Sequence, residues 1–148
     1  MRRLLYTMLL LVAVVATGCK KEKPVENLTA KLYGEWHCEA EAFTAEVYVA
    51  FNEDGSFDLY QLVGEGRYRY YDGTWGVRND TLFGIYSDES PWGSDYRIGI
   101  VDAETMTLTA LNGSEETMTY RRTTIPATVK DESTTLRSTT NEDTHLWF

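Results

Sequence analysis

Little in this chain could hold a metal ion, close a disulfide or grip a nucleic acid. Of its 148 residues two are cysteine, Cys19 and Cys38, and two are histidine, His37 and His145. His37 and Cys38 are adjacent, so a strand would aim them at opposite faces and they could not share a metal. Basic residues are scarce: 14 Lys and Arg stand against 23 Asp and Glu, a formal charge of −9. With no basic stripe, nucleic acid is excluded as a partner. No serine–histidine–aspartate set, glycine-rich phosphate loop or paired-histidine motif occurs, so the expectation is a protein without catalytic activity or cofactor. The acidic loop of Asp88, Glu89 and Asp95 matches no calcium-ligand spacing. Long apolar runs are missing too. The thirteen residues from Leu4 to Ala16 rise only about 20 Å as a helix, against a hydrocarbon core of roughly 30 Å.

That short run is preceded by Arg2 and Arg3 and followed by Ala16-Thr17-Gly18-Cys19. A basic start and a short apolar stretch read as a secretory signal over residues 1–18. The last four residues resemble the lipobox of bacterial lipoproteins, cleaved between Gly18 and Cys19, with Ala16 where Leu is commoner. The resemblance implies that Cys19 carries a diacylglyceryl thioether and an acylated amine. Each buried methylene contributes about 0.8 kcal/mol and one chain holds only marginally, so two or three chains on Cys19 would make a durable membrane anchor. The expected location is the bacterial cell envelope. Lys20 stands where an Asp often signals inner-membrane retention, which favours the outer membrane, at its periplasmic face or the cell surface. Residues 19–31 read as a lipidated tether, charged, with Pro24 and no sustained periodicity. Losing residues 1–18 removes two arginines, takes the charge from −9 to −11, and leaves 130 residues, enough for one domain. Cys38 then has no disulfide partner, so the fold must stand on its core.

From Leu32 to Arg122 the hydrophobic pattern has period two, with turn residues at short intervals. Leu32, Gly34, Trp36, Cys38 and Ala40 alternate with Tyr33, Glu35, His37, Glu39 and Glu41. A second strand points Val47, Val49 and Phe51 inward, and Asn52-Glu53-Asp54-Gly55 turns it into a third carrying Phe57 and Leu59. The fourth, Arg67 to Val77, has Tyr68 and Tyr70 on one parity and Trp75 and Val77 on the other, which predicts a bulge at Asp72-Gly73. In the fifth, Leu82 and Tyr86 compete with Phe83 and Ile85 for the inner face. Tyr96, Ile98 and Ile100 mark the sixth, Met106, Leu108 and Ala110 the seventh, and Met118, Tyr120 and Arg122 the eighth. Short connections favour up-and-down order, and eight strands close into a ring. The expected fold is therefore all-β, an eight-stranded antiparallel up-and-down barrel over residues 32–127, with a β-sandwich as the alternative. No stretch shows a helical stripe. Residues 128–148, rich in Ser, Thr, Asp and Glu, read as a disordered polar tail. The C-terminal Phe148 is similar to the last residue of outer-membrane barrels, but Glu35, Glu39 and Glu41 would then face lipid.

Gly34-Glu35-Trp36, Asp54-Gly55-Ser56-Phe57, Asp72-Gly73-Thr74-Trp75 and Thr119-Tyr120-Arg121-Arg122 together resemble the lipocalin-like domain of small bacterial envelope lipoproteins. The resemblance implies that Trp36 closes one end of the barrel and that a last-strand arginine packs across its ring. Arg122 shares the inward parity of Met118 and Tyr120, so it is the choice over Arg121. Such a cation–π contact contributes roughly 0.5 to 2 kcal/mol. The chain departs from lipocalins in being short, 91 residues from Leu32 to Arg122, and in lacking their flanking helix.

Phe51, Phe57, Tyr68, Tyr70, Trp75, Tyr96 and Tyr120 form an aromatic set that could line an apolar calyx or fill the interior. Trp92, on the loop from Asp88 to Ser94 with Pro91 and Gly93, is either exposed as a partner contact or folded over the barrel as a lid. The leading expectation is a membrane-anchored module that binds a small hydrophobic ligand. The alternative is an envelope scaffold with a solid core, whose loops bind a protein or a glycan.

Overall fold

The computed structural model describes residues 27–40, 45–64 and 66–135. The expected signal segment, Cys19, residues 20–26 of the tether and residues 136–148, with His145 and Phe148, lie outside them. A short helix α1 (Leu28–Leu32) leads into eight strands: β1 (Gly34–Ala40), β2 (Ala45–Phe51), β3 (Ser56–Val63), β4 (Arg69–Arg78), β5 (Thr81–Tyr86), β6 (Tyr96–Val101), β7 (Thr105–Ala110) and β8 (Thr117–Arg122). Helix α2 (Ala127–Glu132) and the two-residue strand β9 (Thr134–Thr135) follow. Consecutive strands pair antiparallel, and β8 returns to pair with β1 at Trp36↔Arg122 and His37↔Arg121. The sheet is a closed eight-stranded antiparallel barrel. Closure leaves no ring strand with an open edge along its whole length.

Alternation sets the two faces. Trp36, Val47, Val49, Phe51, Phe57, Leu59, Leu82, Met106, Leu108 and Tyr120 are fully or almost fully buried inside. Removing each such side chain from water contributes about 1.5–3 kcal/mol, which is what drives the ring to close. In β5 the ambiguity resolves in favour of Leu82 and Tyr86, with Ile85 on the outside and 47% exposed.

Strand β4 corrects the sequence reading. Its register runs unbroken against β3, from Ser56↔Thr74 to Gln61↔Arg69, and against β5, from Gly73↔Tyr86 to Arg78↔Thr81. There is no bulge at Asp72-Gly73. The inward row is Tyr71, Gly73 and Trp75, so Tyr68 and Tyr70 belong to the outside. Gly73 misled the pattern because it occupies an inward position without a side chain. A Cβ there would lie 2.1 Å from the Ile85 carbonyl oxygen and 2.9 Å from the Phe57 ring. The irregularity in this part of the sheet falls instead between β6 and β7, where the two residues between Ile98 and Val101 oppose the single residue between Met106 and Leu108.

Two further differences lie at the ends. Residues 28–31 of the expected tether are helical, with Asn27 Oδ1 accepting from the Ala30 amide at 3.2 Å. Residues 128–135 of the expected disordered tail are ordered in α2 and β9. Ile125 and Val129, four residues apart, pack beneath α2 against Tyr48, Ala50 and Tyr60 on the outer wall. Strand β9 runs parallel to β4 at Arg69 and Tyr70, beside the stretch of β4 that β5 does not reach. Helices of five and six residues are too short to show a period in the sequence.

Candidate functional site

Because neighbouring strands alternate in direction, Gly34, Phe51, Ser56, Arg78, Thr105 and Arg122 all lie at one end of the barrel. Trp36 plugs that end. Its Nε1 donates to the Leu32 carbonyl at 2.8 Å, and the Arg122 guanidinium lies 4.0 Å above its ring. Arg122 is held by three carbonyls: Nε donates to Ala103 at 2.8 Å, Nη1 to Tyr33 at 2.7 Å and Nη2 to Lys31 at 3.0 Å. This explains the glycine of Gly34-Glu35-Trp36. Its φ is +116°, and a Cβ there would meet Arg122 Nη1 at 2.5 Å. Trp75 and Phe51 pack above the plug with centroids 4.8 Å apart and ring planes tilted by 54°, and the buried Trp75 Nε1 has no hydrogen-bond partner among the described residues.

The wall between β5 and β6 is incomplete. These strands pair only at Thr81↔Arg97 and Leu82↔Tyr96. Beyond that the loop itself lies along β5: Tyr86 N–H donates to Ser90 at 2.8 Å, and Trp92 N–H donates to Gly84 at 3.1 Å. The Trp92 indole turns inward over Gly84, where a Cβ would come within 2.3 Å of it. It packs edge-on against Phe57 at 5.2 Å and Tyr96 at 6.4 Å, and only 5% of it is exposed. Trp92 is therefore a side-wall plug. The reading of it as an exposed contact for a partner is corrected: Gly84, on the inner row of β5, makes the space that takes it in.

The end opposite Trp36 has a different lining. Gln61, on the inner row of β3 after Phe57 and Leu59, is 1% exposed. Among the described residues neither its Oε1 nor its Nε2 has a hydrogen-bond partner. On the neighbouring strands lie Val47 and, one step along the inner row of β4, Tyr71. Tyr71 packs on Tyr86 at 5.9 Å. Burial pushes the phenols of Tyr86 and Tyr96 well above their ordinary range, and each is raised further by neighbouring charge. Burial raises Tyr120 in the same way, and its hydroxyl points to Met118 Sδ at 4.0 Å. These groups stay neutral O–H donors throughout the physiological range. The interior is filled by Trp36, Phe51 and Trp75 at one end, while Gln61 and Tyr71, on neighbouring strands, put hydrogen-bonding groups on the inner face toward the other.

Of the aromatic set named from the sequence, the structure brings Phe51, Phe57, Trp75, Tyr96 and Tyr120 inside. It sends Tyr68 and Tyr70 outside, where they bind carboxylates. Tyr68 donates to Glu46 Oε2 at 2.5 Å and Tyr70 to Asp58 Oδ1 at 2.6 Å. Glu46 Oε1 also accepts from Tyr48 at 2.9 Å and pairs with His37 Nε2 at 3.0 Å. Burial alone would raise the Glu46 carboxyl, but the bonds from Tyr68, Tyr48 and His37 outweigh it and hold it below its usual range. Cys38 lies on the opposite face from His37, buried in the core. Sequence reasoning missed Gln61, Tyr71 and Tyr86. Parity alone would have found Gln61, the next inward position after Leu59.

No known protein-family profile matches the chain, and no curated protein does. Among solved structures it is similar to the NMR structure of a protein from Bacteroides uniformis ATCC 8492. The likeness has 14% identity and a TM-score of 0.51, covering 64% of this chain and 90% of that one. An uncharacterized protein from Bacteroides eggerthii DSM 20697, solved by crystallography, is similar at 13% identity and a TM-score of 0.45, over 62% of this chain and 99% of that one. At such identity the first likeness bears on fold alone: this closed antiparallel barrel has a structural counterpart in Bacteroides.

Proposed function

We propose that this chain is an exported, lipid-anchored envelope protein whose lipocalin-like barrel binds a small molecule at the end holding Gln61. The observation that carries the reading is the Gln61 amide, buried with neither polar atom bonded. An orphaned buried polar group costs about 1–3 kcal/mol, and a bound molecule offering one donor and one acceptor removes that cost. Tyr71 adds a phenol from the neighbouring strand, and Tyr86 packs against Tyr71. The ligand is therefore compact, with hydrogen-bonding groups on a partly apolar body, and not the wholly apolar molecule that the aromatic pattern alone predicts. Trp36, Trp75 and Trp92 occupy the rest of the interior, which limits its size. The reading is of a binding module, without chemistry on the ligand.

Anchoring at Cys19 rests on the Ala16-Thr17-Gly18-Cys19 sequence and the short apolar run before it. Metabolic labelling with palmitate should mark the wild-type chain and not Cys19→Ser. For the ligand, native mass spectrometry of protein extracted without unfolding should show a mass excess beyond the acyl groups, released on denaturation. Gln61→Leu should lose that excess while remaining folded. A uniformly unladen wild type, or a Gln61→Leu variant that keeps its cargo, overturns the reading.

A second reading, the envelope adaptor with a solid core, is favoured by one observation: Trp92 fills the interior from the side. It predicts the unladen wild type and a protein or glycan captured elsewhere on the surface.

A further inference from the structure

Outside the barrel, between the wall made by β1, β2 and β3 and the segment Ile125–Lys130, lies a half-open cavity of about 460 Å³. That is within the size range of small-molecule sites, roughly 300–1,000 Å³. Its polar lining comes from Glu35, Asn52, Glu53, Asp58, Tyr60 and Lys130, with Ala50 and Ile125 supplying apolar surface. Several of these side chains are held in place. Glu35 Oε2 accepts from the Ile125 amide at 2.7 Å and Oε1 from Lys130 Nζ at 2.8 Å, which clamps α2 over the cavity. Asp58 accepts from Tyr70 through one oxygen and from Asn52 Nδ2, at 3.0 Å, through the other. The Tyr60 ring rests on Tyr70 at 5.1 Å, while its hydroxyl makes no hydrogen bond among the described residues.

We propose that this outer cleft is a second binding site, for a neutral polyhydroxylated ligand such as a sugar unit. Three carboxylates against one ammonium repel an anion. A cation would want carboxylate oxygens converging on one point, but those of Glu35 and Asp58 are each already turned toward a donor of the protein. What remains is dispersed: the Tyr60 hydroxyl, the spare N–H groups of Lys130, the second lone pairs of Asp58 and the carboxylate of Glu53. Donors and acceptors of this kind, alternating around an apolar patch, match groups that both give and take a hydrogen bond. Hydroxyls on a pyranose ring do so on every side, and the ring's C–H face suits Ala50 and Ile125.

The site is independent of the Gln61 end, because the wall of the barrel separates the two. Saturation-transfer NMR on the whole chain, with glucose, galactose, N-acetylglucosamine and disaccharides of these as probes, tests it. At least one saccharide should receive saturation and shift the amide signals of Asn52, Glu53 and Lys130. Tyr60→Phe keeps the ring on Tyr70 and removes only the hydroxyl, so it should fold normally and bind about fivefold to tenfold more weakly, the worth of one hydrogen bond. Gln61→Leu should bind the saccharide as the wild type does. The proposal is overturned if no saccharide in the panel binds, if Tyr60→Phe binds unchanged, or if spermidine or citrate shifts these signals and the saccharides do not.

Discussion

The two ends of this barrel meet the same requirement with opposite chemistry. At the Trp36 end the groups that make the closure are bonded: the indole N–H has the Leu32 carbonyl, and Arg122 has three carbonyls besides the Trp36 ring, while the Trp75 N–H above them has no partner among the described residues. At the other end Gln61 is as deeply buried and has none. Proteins pair nearly all their buried polar groups, so the contrast separates a closure that serves stability from a lining that serves recognition. It also makes the two ends respond differently to mutation.

The largest effect belongs to the closed end. Trp36→Ala removes a fully buried indole and takes the platform from beneath Arg122, so it should destabilise by about 3–5 kcal/mol. Urea unfolding measures it; a loss below about 1 kcal/mol would mean that the plug is an ornament on a fold held elsewhere. Gly84→Ala comes next. Its new methyl would overlap the Trp92 ring, so the indole must leave the wall at about 1–3 kcal/mol. Tryptophan emission should shift to the red, and an unshifted spectrum would place the plug elsewhere.

At the Gln61 end the sign reverses. In ligand-free protein, Gln61→Leu replaces an unpaired amide by a side chain of similar size that asks for no hydrogen bond. It should raise stability by about 1–2 kcal/mol. The same change at a satisfied position would lower it. A destabilised Gln61→Leu variant would show that the amide is already paired, and the contrast between the two ends would collapse.

How much of this was legible in the sequence follows from the same physics. Strand count, order and closure could be read because alternation reports which face is dry; the plug was implied by the resemblance carried by Gly34-Glu35-Trp36, and parity chose Arg122 over Arg121 for it. The error in β4 has one cause: an inward Gly73 has no side chain to signal its face, so the outward pair Tyr68 and Tyr70 looked like the inner row. Those tyrosines are half-buried because α2 and the carboxylates Glu46 and Asp58 cover them. The carboxylates lie 22 and 12 residues away along the chain, and Val129 of α2 lies 61 and 59 residues beyond Tyr68 and Tyr70, further than a local pattern can report. Trp92 was recognised as unusual, but the space at Gly84 that receives it depends on where β5 and β6 part. Gln61 was hidden by its type: a polar residue on an inward position reads as an interruption until its partners can be counted.

The smallest expected effect tests whether acid separates the wall from the ends. The Trp36 closure is held by backbone carbonyls and Gln61 has no ionisable group, so neither depends on a carboxylate. The outer wall, at Glu46, does. Its carboxyl is held below its ordinary 4.5 by Tyr68, Tyr48 and His37 against the opposing effect of burial. A depressed carboxyl contributes stability that is fully present above its unfolded value and is lost as pH falls through the folded one. Melting temperature should therefore hold from pH 7 to about pH 5 as far as Glu46 is concerned, then fall below about pH 4.5. Glu46→Gln should lower the plateau slightly and flatten that part of the decline, because no proton is then taken up at this position. The group is largely solvated, so the difference between the two curves should be modest. If the two melting curves stay parallel down to pH 3, the tyrosine–carboxylate cluster contributes nothing specific to the wall, and acid sensitivity must be sought at Asp54 and Asp102. Those two carboxyls are held low by the turns at the Trp36 end: hydrogen bonds from Ser56 hold Asp54, and the amides of Glu104 and Thr105 hold Asp102.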